Sequence, residues 1–242
     1  MSAIHIAVWN RSTVLTDAQV SAVVPALQTQ VHRDWAPAWG SDADLTFVAS
    51  HDTPPAGAWW LVILDDSDQA TALGYHDLTP DGLPQGKVFA HSDIKFGYTW
   101  TVTASHELLE MLGDPDINLA AYVYTGTTLN RLYAYEVADA CEADRYGYQI
   151  DGILVSDFVF PSWFESFRKQ GSTQFDFGGH ITAPFELLPG GYIGVFDIRS
   201  GSGWHQLTAE STPLHYSMRA RVGSRRERRR TPRDQWLISE IS

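Results

Sequence analysis

Hydrophobic residues in the first part of the chain recur at two different spacings, one typical of strands and one of helices. The segment Ile4–Trp9 alternates and is rich in β-branched residues, which predicts a strand. Thr16 and Asp17 are suited to a helix start, and the apolar residues that follow them, as far as Val31, recur at helical spacing. Leu45–Val48 and Trp59–Leu64 are predicted strands, the second apolar throughout and therefore covered on both faces. This succession indicates a mixed sheet with at least one helix on it.

A turn, a further strand and a second helix are predicted next. Residues 82–86 have turn composition, and Lys87–His91 after them predicts a strand at the sheet edge. From Tyr98 to Leu112 the apolar residues return to helical spacing, and Gly-Asp-Pro at 113–115 ends the element. Beyond this point the chain has little helical periodicity and many Gly, Tyr, Phe and Trp residues, which predicts an irregular second lobe.

The predicted organisation is therefore a sheet-and-helix lobe over residues 1–114, a loop-rich lobe over 115–218 and an arginine-rich tail over 219–242. Eight of the seventeen basic residues lie between Arg219 and Arg233, so the body is more acidic than the net charge of −12 suggests. An acidic body repels nucleic acid and attracts cations. A solvated tail is favoured over contact with nucleic acid or a partner protein, because arginine clusters alone specify little.

The composition limits the chemistry that the chain can support. With 242 residues and 44% hydrophobic content it can bury a sizeable core. Its one cysteine, Cys141, allows neither an internal disulfide nor a cysteine-rich zinc site, so any metal must be held by His and carboxylates. The first residues lack the pattern of a signal peptide, and no stretch is apolar enough to span a membrane. We expect a cytoplasmic protein or one released without a standard signal peptide.

The strongest chemical pattern is His106-Glu107-x-x-Glu110 on the second predicted helix. Residues four apart lie one turn above each other, so His106 and Glu110 can direct an imidazole and a carboxylate at one ion. Glu107 is offset from that pair and can contact a water held by the ion, as a general base for hydrolysis must. The pattern is moderately specific, because many helices carry His and Glu on a solvated face.

A carboxylate-rich stretch, Tyr135–Glu142, follows shortly after this helix and can supply a third ligand. With it, the sequence resembles the zincin metallopeptidases, and specifically the glutamate-zincin branch. In that branch a helix with His-Glu-x-x-His is followed by a ligand glutamate and a supporting aspartate. The resemblance covers about forty to fifty residues, and the remaining chain only by general layout.

The resemblance implies that His106 is the first ligand, Glu107 the general base, Glu110 the second ligand and Glu136 the third. Asp139 would orient the imidazole of His106, as carboxylates often do for metal-bound histidines. The Glu-x-x-Asp spacing here is one residue shorter than is common in the branch. The roles of Glu136 and Asp139 can therefore be exchanged.

One departure from the family changes the expected chemistry. Glu110 stands where the second histidine is usual, so one His and two carboxylates would neutralise a divalent ion and weaken its Lewis acidity. Zn²⁺ remains the expected ion, with Mn²⁺, iron or Ca²⁺ more competitive than in the standard site. A zincin also needs a donor near the developing oxyanion, for which Tyr146, Tyr148 and His180 are candidates without a spacing argument.

These patterns predict an α+β (mixed α/β) zincin-like fold and a zinc metallopeptidase that cleaves a peptide or protein substrate with a metal-activated water. Its cleft would lie along Val88–His91, where an extended peptide can pair with the edge strand. The alternative is a catalytically inactive zincin-like module whose metal has a binding or structural role. The remaining histidines, His76 among them, are scattered and are interpreted as surface or hydrogen-bonded core residues.

Overall fold

The computed structural model describes residues 4–68, 72–124, 130–199 and 203–209, and the backbone of two short strands at 216–218 and 237–239. The fold combines helices with several sheets, so the predicted α+β class is confirmed. Apart from its last strand, the predicted arginine-rich tail lies outside the described residues. None of the helices among the described residues has the length and apolar character needed to cross a bilayer.

The helices and strands follow one another through the whole described chain. The strands are β1 (Ile4–Asn10), β2 (Ala43–Val48), β3 (Trp59–Leu64), β4 (Gly74–Leu78), β5 (Pro84–Phe89), β6 (Ala120–Tyr124), β7 (Asn130–Ala134), β8 (Tyr148–Ile150), β9 (Ile153–Val155), β10 (Tyr192–Asp197), β11 (Trp204–Thr208), β12 (Tyr216–Met218) and β13 (Leu237–Ser239). The α-helices are α1 (Asp17–Thr29), α2 (Ala36–Trp39), α3 (Ala90–Phe96) and α4 (Trp100–Gly113). A π-helical segment, Gln30–Trp35, joins α1 to α2.

The main sheet has five strands in the order β2-β1-β3-β5-β4. All neighbouring pairs are parallel except β4 and β5, which are antiparallel. The prediction that Lys87–His91 forms a strand at the sheet edge is wrong. Strand β5 pairs with β3 on one side and with β4 on the other, and the last two residues of the predicted segment belong to α3. The edge is β4, whose sequence Gly-Tyr-His-Asp-Leu gives a weak strand signal because its centre is polar.

Helix α4 packs beneath the β5–β4 end of the sheet. Strand residues that are paired across the antiparallel ladder share a face, so His76, opposite Gly86, faces the same side as Gly74 and Val88. That side is covered by α4, as the close approach of Glu107 to both Gly74 and Gly86 shows. The edge strand and the helix therefore enclose a narrow space between them.

One hydrophobic core continues from the main sheet into the loop-rich part of the chain. It contains Ile6 and Val8 of β1, Leu108 of α4, and residues as far along as Val195 and Trp204. The second part adds a four-stranded antiparallel sheet in the order β11-β10-β7-β6. The two predicted lobes therefore share apolar contacts around the segment that follows β7. This shared core holds that segment against α4.

Candidate functional site

Helix α4 places three of the predicted site residues in the buried space under the sheet. Its buried positions run almost continuously from Thr101 to Leu112, because the sheet covers one side and the loop-rich part the other. His106 and Glu110 lie one turn apart, and the His106 Nε2 atom is 3.4 Å from Glu110 Oε1. The helix therefore holds an imidazole nitrogen and a carboxylate oxygen side by side, as the spacing predicts.

The segment after β7 brings Asp139 to the same histidine nitrogen. Asp139 begins a short 3-10 turn, and its Oδ1 atom lies 3.3 Å from His106 Nε2. The backbone N–H of Ala138, in the same segment, donates to Glu110 Oε1 at 3.3 Å. Because Asp139 and Glu110 face the same imidazole nitrogen, Asp139 is placed as a ligand would be. A carboxylate that only oriented the ring would contact Nδ1.

The edge strand adds a histidine that the sequence did not single out. His76 of β4 is 1% exposed, and its Nδ1 atom lies 3.5 Å from Glu110 Oε2 and 3.8 Å from Glu107 Oε2. Its Nε2 atom lies 3.5 Å from Glu136 Oε2. We call the six residues that meet here the His/carboxylate cluster: His76, His106, Glu107, Glu110, Glu136 and Asp139.

The distances within the His/carboxylate cluster are longer than those of two His–Asp pairs that form hydrogen bonds at the surface. On the surface, His32 lies 2.6 Å from Asp42 and His91 lies 2.8 Å from Asp66, which are hydrogen-bond distances. Inside the cluster the closest nitrogen–oxygen distances are 3.3 to 3.5 Å. Two donor atoms that each lie about 2.1 Å from one tetrahedral ion are about 3.4 Å apart. The cluster therefore has the spacing of a ligand set.

Deep burial makes the charges of the cluster strongly dependent on one another. Every member is at most 5% exposed. Burial lowers the pKa of His106, but the charge of Glu110 and a contact with Asp139 outweigh burial and hold that pKa well above its usual value. Burial raises the pKa of Glu110, and the two nearby histidines more than reverse this. Buried carboxylates are accommodated when cations lie among them or when a retained proton neutralises one of them.

Glu107 occupies a space that two glycines of the sheet leave open. A Cβ atom on Gly74 would lie 2.6 Å from Glu107 Oε1, and one on Gly86 would lie 3.4 Å from Glu107 Cβ. The other carboxylate oxygen, Oε2, is buried and has no hydrogen bond. Burial is the main cause that raises the pKa of Glu107, which makes this carboxylate a stronger proton acceptor than an exposed one.

The structure does not bring Tyr148 or His180, two of the three candidate oxyanion donors, to the cluster. The Tyr148 hydroxyl donates to Asp34 Oδ2 at 2.8 Å and accepts from Gln30 Nε2 at 3.1 Å, which positions it at the π-helical segment. The backbone N–H of His180 donates to Asp176, and the His180 ring lies against Tyr146. Neither side chain has a described contact with the His/carboxylate cluster.

A tyrosine that the sequence analysis missed does lie near the cluster. Tyr192 opens β10, and burial followed by the charges of Asp139 and Glu142 raises its pKa well above the usual value. Its hydroxyl therefore stays protonated and able to donate. The preceding Gly191 has no room for a side chain, because the backbone of residues 139–140 lies directly against it. This close approach at Gly191 places the start of β10 against the segment that contains Asp139.

Comparisons with known proteins found no match. Neither a family model, a curated protein nor a solved structure is similar to this chain. The resemblance to zincins that the sequence suggests therefore depends on the residues of α4 and of the segment after it. The function has to be argued from the geometry of the cluster itself.

Proposed function

We propose that the protein is a metal-dependent hydrolase, and that its activity is that of a peptidase. The observation that carries the proposal is the meeting of His106 Nε2, Glu110 Oε1 and Asp139 Oδ1 at ligand spacing, with the carboxylate of Glu107 in the adjoining turn of the same helix. One imidazole and carboxylates, with no sulfur, form a donor set that suits Zn²⁺ and also Mn²⁺ or Ca²⁺. A bound ion would supply Lewis acidity and activate water at neutral pH.

In this proposal Asp139, and not Glu136, is the third ligand. Glu136 lies on the other side of Glu110, so the two residues exchange the roles that the resemblance implies. Asp139 faces the nitrogen of His106 that also faces Glu110, whereas Glu136 faces His76. The N–H of Ala138 helps to hold Glu110 in place through its hydrogen bond to Oε1. Two chain segments, α4 and the segment after β7, therefore hold the donor atoms in fixed positions, which is the preorganisation that catalysis needs.

Glu107 is the proposed general base. Its carboxylate is buried, one of its oxygens has no hydrogen bond, and its raised pKa favours proton uptake. Gly74 and Gly86 leave it the space to occupy this position. A general base of this kind contributes about a hundredfold to ten-thousandfold to the rate.

The substrate proposed for this site is an extended peptide. Strand β4 is the last strand in the order of the five-stranded sheet, and extended peptides can bind by adding to a strand in that position. His76 is on β4 itself, so a peptide added to this edge would lie beside the His/carboxylate cluster. The sequence predicted a cleft along Val88–His91. Because β5 is not at the edge of the sheet, we propose that the peptide binds along β4.

The test is the turnover of a peptide library by protein loaded with Zn²⁺ or Mn²⁺. We expect Glu107→Gln to bind as much metal as the wild type and to lose at least about a hundredfold in kcat, because the amide cannot accept the proton. Glu165→Gln, at a partly exposed glutamate outside the cluster, is the matched control and should retain full turnover. Unchanged kcat in Glu107→Gln would refute the assignment of the base.

A second candidate function is a metal-binding module in which the ion only ties β4, α4 and the 3-10 turn together. The observation in its favour is the depth of the cluster, since no member is more than 5% exposed. In this case chelation would lower the melting temperature strongly, while no peptide would be cleaved at any pH. Cleavage that depends on added metal and on Glu107 would exclude this function.

A further inference from the structure

The His/carboxylate cluster contains two groups of possible metal ligands, and Glu110 belongs to both. Its Oε1 atom faces His106, which also faces Asp139, while its Oε2 atom faces His76, which also faces Glu136. Each group brings one nitrogen and two carboxylate oxygens within coordinating reach of a common point. A carboxylate whose two oxygens face different donor groups is in the position of a bridge between two ions.

The contacts of His76 place carboxylate oxygens near both nitrogens of its ring. Nδ1 lies near oxygens of Glu110 and Glu107, and Nε2 lies 3.5 Å from an oxygen of Glu136. A neutral imidazole has one N–H and one lone pair, so it satisfies carboxylates on one side only. On the other side a lone pair would face a carboxylate oxygen, unless a proton or a metal ion lies between them. The length of 3.5 Å is that of two ligands of one ion and exceeds ordinary hydrogen-bond distances.

We propose that the protein binds two divalent metal ions, the second held by His76, Glu136 and the bridging Glu110. The first ion is the one held by His106, Glu110 and Asp139, so the inference rests on the proposed function for that ion, although not on hydrolysis. In enzymes, paired metal sites of this kind lie about 3.5–4 Å apart and act together on an oxygen nucleophile and a leaving group. The edge strand thereby becomes part of the site through a ligand of its own.

The experiment measures metal stoichiometry on the full chain after chelation and reloading with Mn²⁺ alone. We expect two ions per chain in the wild type, and an electron paramagnetic resonance spectrum showing two coupled ions. His76→Gln and Glu136→Gln should each bind one ion and give an uncoupled spectrum, and Asp139→Asn should lose the other ion. Circular dichroism checks that each variant is folded, and either of the first two suffices if the other does not fold.

The variant His32→Gln is the control for metal ions bound at the surface, because His32 lies near Asp42 and Asp44 and can bind a loosely held ion. This variant should keep both ions of the cluster. One ion in the wild type, unaffected by His76→Gln, would overturn the second site and leave the proposed function standing. Two ions that both persist in His76→Gln and in Glu136→Gln would overturn the ligand assignment. No ion in the wild type would overturn both proposals.

Discussion

The buried pair Asp157 and Asp176 predicts an unusual pH dependence of stability. Both carboxylates are 0% exposed, and Asp157 Oδ1 accepts hydrogen bonds from the N–H groups of Phe158 at 2.7 Å and Gly178 at 2.9 Å. Burial, followed by the neighbouring Asp176 carboxylate, raises the pKa of Asp157 to about 8. The folded protein therefore keeps a proton on Asp157 in a pH range where the unfolded chain has released it.

The sign and size of the effect follow from proton linkage. A raised pKa of a carboxyl group contributes stability that is complete below the unfolded pKa and is lost as the pH rises through the folded pKa. The window for Asp157 therefore extends from about pH 4 to about pH 8, and within it the free energy of unfolding falls by about 1.4 kcal/mol per pH unit. Between about pH 5 and pH 7 this amounts to about 2.7 kcal/mol.

The perturbation is Asp157→Asn, because an asparagine can keep the two accepted hydrogen bonds and donate to Asp176 without titrating. Urea denaturation at several pH values gives the free energy of unfolding of each protein, and groups outside the pair cancel in the difference. We expect the variant to gain about 2.7 kcal/mol relative to the wild type between about pH 5 and pH 7. Asp151→Asn, at an exposed hairpin turn, should follow the wild type. If the free energy of unfolding depended on pH in the same way for Asp157→Asn and for the wild type, the argument that folded Asp157 keeps its proton would be refuted.

Two further predictions separate the chemistry of α4 from its packing. Gly74→Ala places a methyl group against Glu107 and Thr103, so kcat should fall at least about tenfold with metal content unchanged. Adding Thr103→Ser relieves only the second contact and should not restore kcat; full restoration would show that Glu107 was never displaced. Ser105→Ala removes the hydroxyl that accepts from the N–H of Ser156 at 2.8 Å, so thermal denaturation should show a loss of about 1–3 kcal/mol. Equal metal binding and kcat in that variant would confirm a structural role, whereas a loss of metal would contradict it.

The parts of the fold that the sequence predicts well are those with strong local periodicity. Strand β3 has the predicted bounds, and α4 begins two residues after and ends one residue after its prediction. Helix α1 begins behind Thr16, whose side chain accepts from the N–H of Gln19 in a capping box. Strand β4 was missed, because its polar centre resembles a loop and its strand character comes from pairing with β5. The identity of the sheet edge depends on that long-range pairing and could not be read locally.

The same distinction applies to the site. His106 and Glu110 meet because of helical spacing, which the sequence shows directly. His76 joins them across 30 positions of sequence from His106, and only the antiparallel return of β4 over α4 brings it there. Tyr148 was a candidate donor without a spacing argument, and hydrogen bonds to the π-helical segment direct its hydroxyl elsewhere. Aromatic residues in an irregular region have no periodicity from which their direction could be predicted.

The detailed packing around Glu107 bears on whether the metal would serve catalysis or only structure. A structural site needs a closed set of ligands, and any further carboxylate beside it adds repulsion in a buried space. Here the sheet has glycine at both positions that approach Glu107, Gly74 and Gly86, and a side chain at Gly74 would displace the carboxylate. The fold therefore accommodates a buried carboxylate that a purely structural ion would not need. This arrangement favours hydrolysis over a structural role and makes Glu107→Gln the most informative variant.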